Sequence, residues 1–151
     1  MRPEEVCRIR REFVNLEDGY VLIPFGKTKA ARRKIPLSER GYGISARRLT
    51  ESKGEFLFPG RGVQDSPIVK VNSAHNGAVA RSGIAPFRLY DCRHTFATRA
   101  AMAGVDLATL AALLGHSRLT MVTRYAQPTE EHQFEAMRKV FEYTSKKAAK
   151  R

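Results

Sequence analysis

Four leucines between Asp106 and Gly115, at positions 107, 110, 113 and 114, recur at helical spacing inside a narrow frame. Aspartate is a favoured N-cap and glycine a favoured terminator, so the segment reads as a short helix with defined ends and one apolar face. Its leucines are core residues, and the flanking sequence supplies elements for them to pack against. Arg93 to Met102 has a helical pattern that stops near Gly104, and Leu119 to Tyr125 reads as a further short helix. Gln127-Pro128 breaks the chain, and Thr129 leads into a long terminal helix with Phe134, Met137, Val140 and Phe141 on one face. Its tail, Lys146, Lys147, Lys150 and Arg151, is basic and expected to fray.

Upstream the pattern changes. Glu12 to Leu16 and Tyr20 to Pro24 read as strands around the turn Glu17-Asp18-Gly19, and Lys34 to Leu37 resumes a strand after the basic loop Gly26 to Lys34. Ser38 caps a helix that Gly41 and Gly43 weaken. Residues 54–66 are turn-rich and read as a loop, and Ile68 to Ala80 reads as a helix ending before Ser82-Gly83. Met1 to Val6 reads as a helix already under way, which suggests a domain truncated at its N-terminus. The expected fold is α+β, mainly α, with a small three-stranded antiparallel sheet, in one domain over residues 1–151.

Charge narrows the partners. Lysine and arginine number 27 against 15 acidic residues, a net charge of +12 on 151 residues. A polyanion suits such a chain, because each phosphate neutralised releases condensed counterions. Cys7 and Cys92 form no CxxC pair and predict neither a zinc site nor a disulfide framework, and His75 and His132 lack partners at ligand spacing. No apolar run approaches the roughly 18 residues that span a bilayer, so a soluble, cytoplasmic chain is expected.

Three segments carry chemistry. Arg93-His94-Thr95 is followed by Leu114-Gly115-His116 and then by Arg124-Tyr125; the arginine precedes the histidine by 23 residues, and the tyrosine follows it by nine. In this order and at these intervals the sequence closely resembles the tyrosine site-specific recombinases, the phage-integrase family. The resemblance extends outward. Arg2 and Glu5 match an earlier arginine three residues before a glutamate, and Lys27, nine residues before Pro36-Leu37, matches a hairpin lysine, with Lys29 in reserve. One position departs: the family usually has a histidine three residues before the second arginine, where this chain has Tyr90, which can donate a hydrogen bond but cannot act as an imidazole.

The resemblance implies a mechanism. Attack on a phosphodiester builds negative charge on the non-bridging oxygens, which Arg2 and Arg93 would clamp with their planar donor forks. Glu5 would hold Arg2, with Tyr90 and His94 supporting the site. Tyr125 would form a 3′-phosphotyrosine, with His116 bonding the phosphate or accepting a proton and Lys27 protonating the departing 5′ oxygen. The bond energy stays in the phosphotyrosine, so no ATP, metal or other cofactor is implied. Lys29, Arg32, Arg33, Arg118 and Arg124 are expected DNA contacts.

The implied function is site-specific DNA recombination, integration or excision, in a bacterial or phage setting on nucleoid DNA. The implied partners are double-stranded DNA and further copies of the chain, joined through the terminal helix at Phe134 to Phe141. The family's separate N-terminal DNA-clamping domain has no counterpart in these residues. Two alternatives stand beside this reading. A catalytically inactive DNA-binding remnant would keep the basic face without strand transfer, and a basic RNA-binding module would need aromatic stacking motifs that are missing.

Overall fold

A five-residue helix, α1 (Pro3–Cys7), opens the chain with proline in its first turn, where a missing N–H costs nothing. Its last residues lead into Ile9, which pairs with a later segment: the Leu57 N–H donates to the Ile9 carbonyl at 2.9 Å, and Arg11 N–H to Glu55 at 2.8 Å. The computed structural model describes residues 1–60, 65–69, 71–126 and 129–148. Part of the expected 54–66 loop, the break at Gln127-Pro128, and Lys150 and Arg151 of the expected frayed tail lie outside the described residues.

The three-stranded sheet is antiparallel in the order β1 (Val14–Asn15), β2 (Tyr20–Ile23), β3 (Arg33–Pro36). Its first turn is held by the Asn15 side chain, which accepts from the Asp18 N–H at 2.8 Å, with Gly19 in left-handed backbone. The second connection carries the basic stretch and includes a 3₁₀ turn over Lys29–Ala31. Strand alternation puts Val21, Ile23, Arg33 and Ile35 on one face, since Val21 pairs with Ile35 and Ile23 with Arg33. That face, with Ile9 and Leu57, makes a first core cluster.

The helices follow their punctuation. Ser38 caps α2 (Glu39–Glu51), its hydroxyl accepting from the Gly41 N–H, and both early glycines are accommodated. The next helix starts later than its pattern suggested, as α3 (Asn72–Ser82) rather than from Ile68. The cause is local: the Ile68 N–H is spent on the Phe58 carbonyl at 3.0 Å, keeping that segment extended. Conversely α4 (Asp91–Met102) starts two residues early, because the Asp91 carboxylate accepts from the Arg88 N–H at 2.9 Å and steadies its first turn.

Asp106 caps α5 (Leu107–Leu114), accepting from the Thr109 N–H at 2.9 Å, and Gly115 ends it in left-handed backbone. Leu110 and Leu114 are fully buried with Ala97 and Val122 in a second core cluster, Leu107 packs half-buried against it, and Leu113 is half-buried. The expected helix over 119–125 is instead two 3₁₀ turns, Leu119–Met121 and Thr123–Tyr125. The terminal helix α6 (Glu130–Ala148) begins after Thr129 and leaves Phe134, Met137, Val140 and Phe141 more than half exposed. No helix among the described residues is long and apolar enough to cross a membrane.

Candidate active site

The site is built from two halves of the fold. On the sheet side, Glu5 is buried and its carboxylate gathers four donors. Arg2 supplies its backbone N–H at 2.7 Å and Nη1 at 2.8 Å; Arg33 supplies Nη1 at 3.2 Å and Nη2 at 3.0 Å. Burial pushes the Glu5 carboxyl up, but the hydrogen bonds from Arg33 and Arg2 outweigh it and bring it down to about 2. The Arg2 guanidinium stays partly exposed, so it is anchored on one edge and open on the other.

Arg33 does not lie where a DNA contact would. Its side chain is 7% exposed; besides Glu5 it donates to the Leu113 carbonyl at 2.9 Å and the Ala31 carbonyl at 2.7 Å. It faces inward because it sits two residues before Ile35, on the packed face of the sheet. Gly115 makes room for it, since a Cβ there would lie 2.7 Å from Arg33 Nη1. Arg33 therefore ties the hairpin to the Arg2 anchor and to the end of α5.

On the helical side, Arg93 and His116 form a buried pair. Arg93 Nη2 donates to the Leu114 carbonyl and, at 3.0 Å, to His116 Nε2. Accepting from a guanidinium fixes the imidazole tautomer with its proton on Nδ1. Burial, then the Arg93 and Arg2 charges, lower the His116 pKa to about 4, so the ring is neutral at pH 7. Burial and Arg2 likewise lower the Arg93 pKa, as expected where guanidinium groups crowd together. Arg93 Nη1 and His116 Nδ1, both buried, have no hydrogen-bond partner among the described residues.

Tyr125 ends the second 3₁₀ turn beside α4. Its hydroxyl lies 2.6 Å from His94 Nδ1 and accepts from Arg124 Nη2 at 3.2 Å, and the Arg124 guanidinium also stands 5.1 Å from its ring centroid. Tyr90 meets the His94 ring edge-on at 5.2 Å and shares with Arg2 the lining of a cleft of about 580 Å³. Lys27, Lys29, Arg32 and Arg118 are exposed, the first three in the hairpin connection. His75 and His132 are engaged by the Phe87 and Met102 carbonyls. The described residues hold no group of three or more metal-ligand side chains.

Sequence reasoning thus paired Arg2 with Glu5, but missed the inward turn of Arg33 and the contact between His94 and Tyr125. The first was readable from strand alternation. The second, between residues 31 apart in sequence, left no periodic signal.

Solved structures share this architecture. The chain superposes over 93% of its length on 54% of the Tn1549 transposon integrase in complex with transposon right-end DNA, with a TM-score of 0.76 at 22% identity. Over 91% of its length it superposes on 52% of the XerA recombinase, with a TM-score of 0.68 at 19% identity. The fold is that of a tyrosine recombinase catalytic domain. In sequence, the tyrosine recombinase of Pseudothermotoga lettingae is 29% identical over 150 residues, 94% of this chain and 50% of that protein. Tyrosine recombinase XerD of Pseudomonas aeruginosa is 35% identical over 137 residues, 83% of this chain and 44% of that protein. With residues 1–132 matching the Phage integrase family, the chain belongs to that family. It spans about half the length of the two relatives.

Proposed function

We propose that this chain cleaves and rejoins DNA strands in site-specific recombination, with Tyr125 as the nucleophile and a 3′-phosphotyrosine as the intermediate. The observation that carries this reading is the Arg93–His116 pair. Two buried donors, Arg93 Nη1 and His116 Nδ1, have no acceptor among the described residues, whereas buried polar atoms are ordinarily satisfied. A phosphate oxygen is the acceptor that suits a guanidinium and a neutral imidazole N–H together. Arg2, held by Glu5, adds a second fork whose charge is felt at both Arg93 and His116.

Lys27, carried on the exposed hairpin connection, would protonate the 5′ oxygen. Arg118, Arg124, Arg32 and Lys29 would contact the DNA backbone, and α6 would engage a second copy through Phe134 to Phe141. The test uses a nicked suicide DNA substrate, or a supercoiled plasmid, and scores an adduct that survives SDS. Wild type is expected to form it and Tyr125→Phe to lose it. Well-folded protein that binds DNA and forms no adduct would instead identify a DNA-binding remnant.

A further inference from the structure

Attack by a phenol requires its proton to go somewhere, and His116 cannot take it. The Nε2 lone pair of that ring accepts from Arg93 Nη2 at 3.0 Å, and its other nitrogen already carries the proton. Tyr90 offers no imidazole. The one imidazole nitrogen in contact with the Tyr125 hydroxyl among the described residues is Nδ1 of His94, at 2.6 Å. Arg124 Nη2 donates to the same hydroxyl oxygen at 3.2 Å, occupying a lone pair and leaving the O–H free to point at His94.

We propose that His94 is the proton acceptor for Tyr125, a role resting on the reading of Tyr125 as the nucleophile. As the Tyr125 Oη–P bond forms and the P–O5′ bond breaks, the phenolic proton passes to His94 Nδ1 and gives an imidazolium. The departing 5′ oxygen takes its proton separately, from Lys27 or from water. When the 5′ hydroxyl later attacks the phosphotyrosine, its proton goes back to Lys27 or to water, the P–Oη bond breaks, and the imidazolium returns its proton to Tyr125. The titratable and charged groups around His94 are Tyr90, whose ring meets it edge-on, Asp91 one turn back on α4, and Tyr125 with Arg124 from the 3₁₀ turn. The His94 ring is half-buried.

Two measurements on the full chain test this. Long-range nitrogen–proton NMR of the imidazoles should show His94 protonated on Nε2 and His116 on Nδ1, with the His94 signals shifted in Tyr125→Phe. Finding His94 protonated on Nδ1 and unaffected by Tyr125→Phe would overturn the assignment. In the adduct assay, His94→Asn keeps an acceptor near the Nδ1 position but cannot hold a proton, and should slow cleavage by about 100-fold, the usual worth of a general base. His94→Ala should recover rate with added imidazole, which a merely structural histidine would not allow. Cleavage by His94→Asn at the wild-type rate would sink this proposal alone; absence of any adduct from wild type would sink the recombinase reading and this one with it.

Discussion

Arg33 donates to both carboxylate oxygens of Glu5, at 3.2 and 3.0 Å, from a side chain as buried as its partner. The pair joins the sheet to α1, the helix whose N-cap is Arg2. Removing Arg33 takes two of the four donors from the buried Glu5 carboxylate, so Arg33→Met should cost about 3 kcal/mol in urea unfolding. The double change Arg33→Met with Glu5→Leu should regain much of that stability. It should not regain adduct formation, because Arg2 has then lost its anchor. Parallel recovery of stability and cleavage would show that the pair serves the fold alone.

Gly115 and Gly83 share a left-handed backbone, at φ of 69° and 70°. They differ in surroundings: a Cβ on Gly83 meets nothing within 4 Å, while one on Gly115 meets the Arg33 guanidinium at 2.7 Å. Gly83→Ala should cost only the left-handed strain, about 1–2 kcal/mol. Gly115→Ala should cost more and should lower cleavage as well. Equal unfolding midpoints for the two variants would contradict the packing of Arg33 against Gly115.

Acid should destabilise the protein in two steps. His116 titrates near 4 when folded against an ordinary value of 6.5. Between those limits the unfolded chain takes up a proton that the folded chain refuses, so stability falls as the pH drops through that window. Glu5 works the same way lower down, between 4.5 and about 2, where the folded state keeps its carboxylate ionised. Urea midpoints across pH 7 to 4 should decline in wild type and flatten in His116→Gln. The His116 ring protons, followed by NMR, should show no titration above pH 5.

Lys27 and Lys29 share an exposed connection, and leaving-group chemistry separates them. A DNA substrate with sulfur in place of the bridging 5′ oxygen releases a thiolate, which needs no proton. Cleavage of ordinary DNA by Lys27→Ala should fall by about 100-fold and recover on the sulfur substrate, as expected for a lost general acid. Lys29→Ala should behave as a backbone contact, with weaker, salt-sensitive binding and no such rescue. Rescue of Lys29→Ala instead would reverse the two roles.

The exposed stripe on α6 should drive self-association. Replacing Phe134 and Phe141, 78% and 72% exposed, with serine should reduce the mass seen by analytical ultracentrifugation without lowering the unfolding midpoint. An unchanged mass distribution would remove this face as the contact.

Much of the fold was legible because local signals agreed. Asp106, Gly115 and four leucines bounded α5 correctly, and Ser38 capped α2 despite two glycines. Boundaries drifted where a partner far in sequence decided them, as when Phe58 held Ile68 extended. The basic loop read as uniformly solvent-facing because charge composition carries no direction. Arg33 shows that strand alternation outranks composition, since its place opposite Ile23 turns it inward. The proximity of His94 to Tyr125 arises from packing of a 3₁₀ turn against α4, which no local pattern encodes.

The two core clusters divide the candidate site residues between them. Arg2, Glu5, Lys27 and Arg33 ride on the sheet half, while Arg93, His94, His116 and Tyr125 ride on the helical half. The hydrogen bond from Arg33 to the Leu113 carbonyl crosses between them. Arg33 also packs against Gly115 and holds both carboxylate oxygens of Glu5, so one side chain sets how the sheet half sits on the helical half. On the function proposed above, the register of the two clamps would hang on that single guanidinium, a keystone that itself touches no DNA.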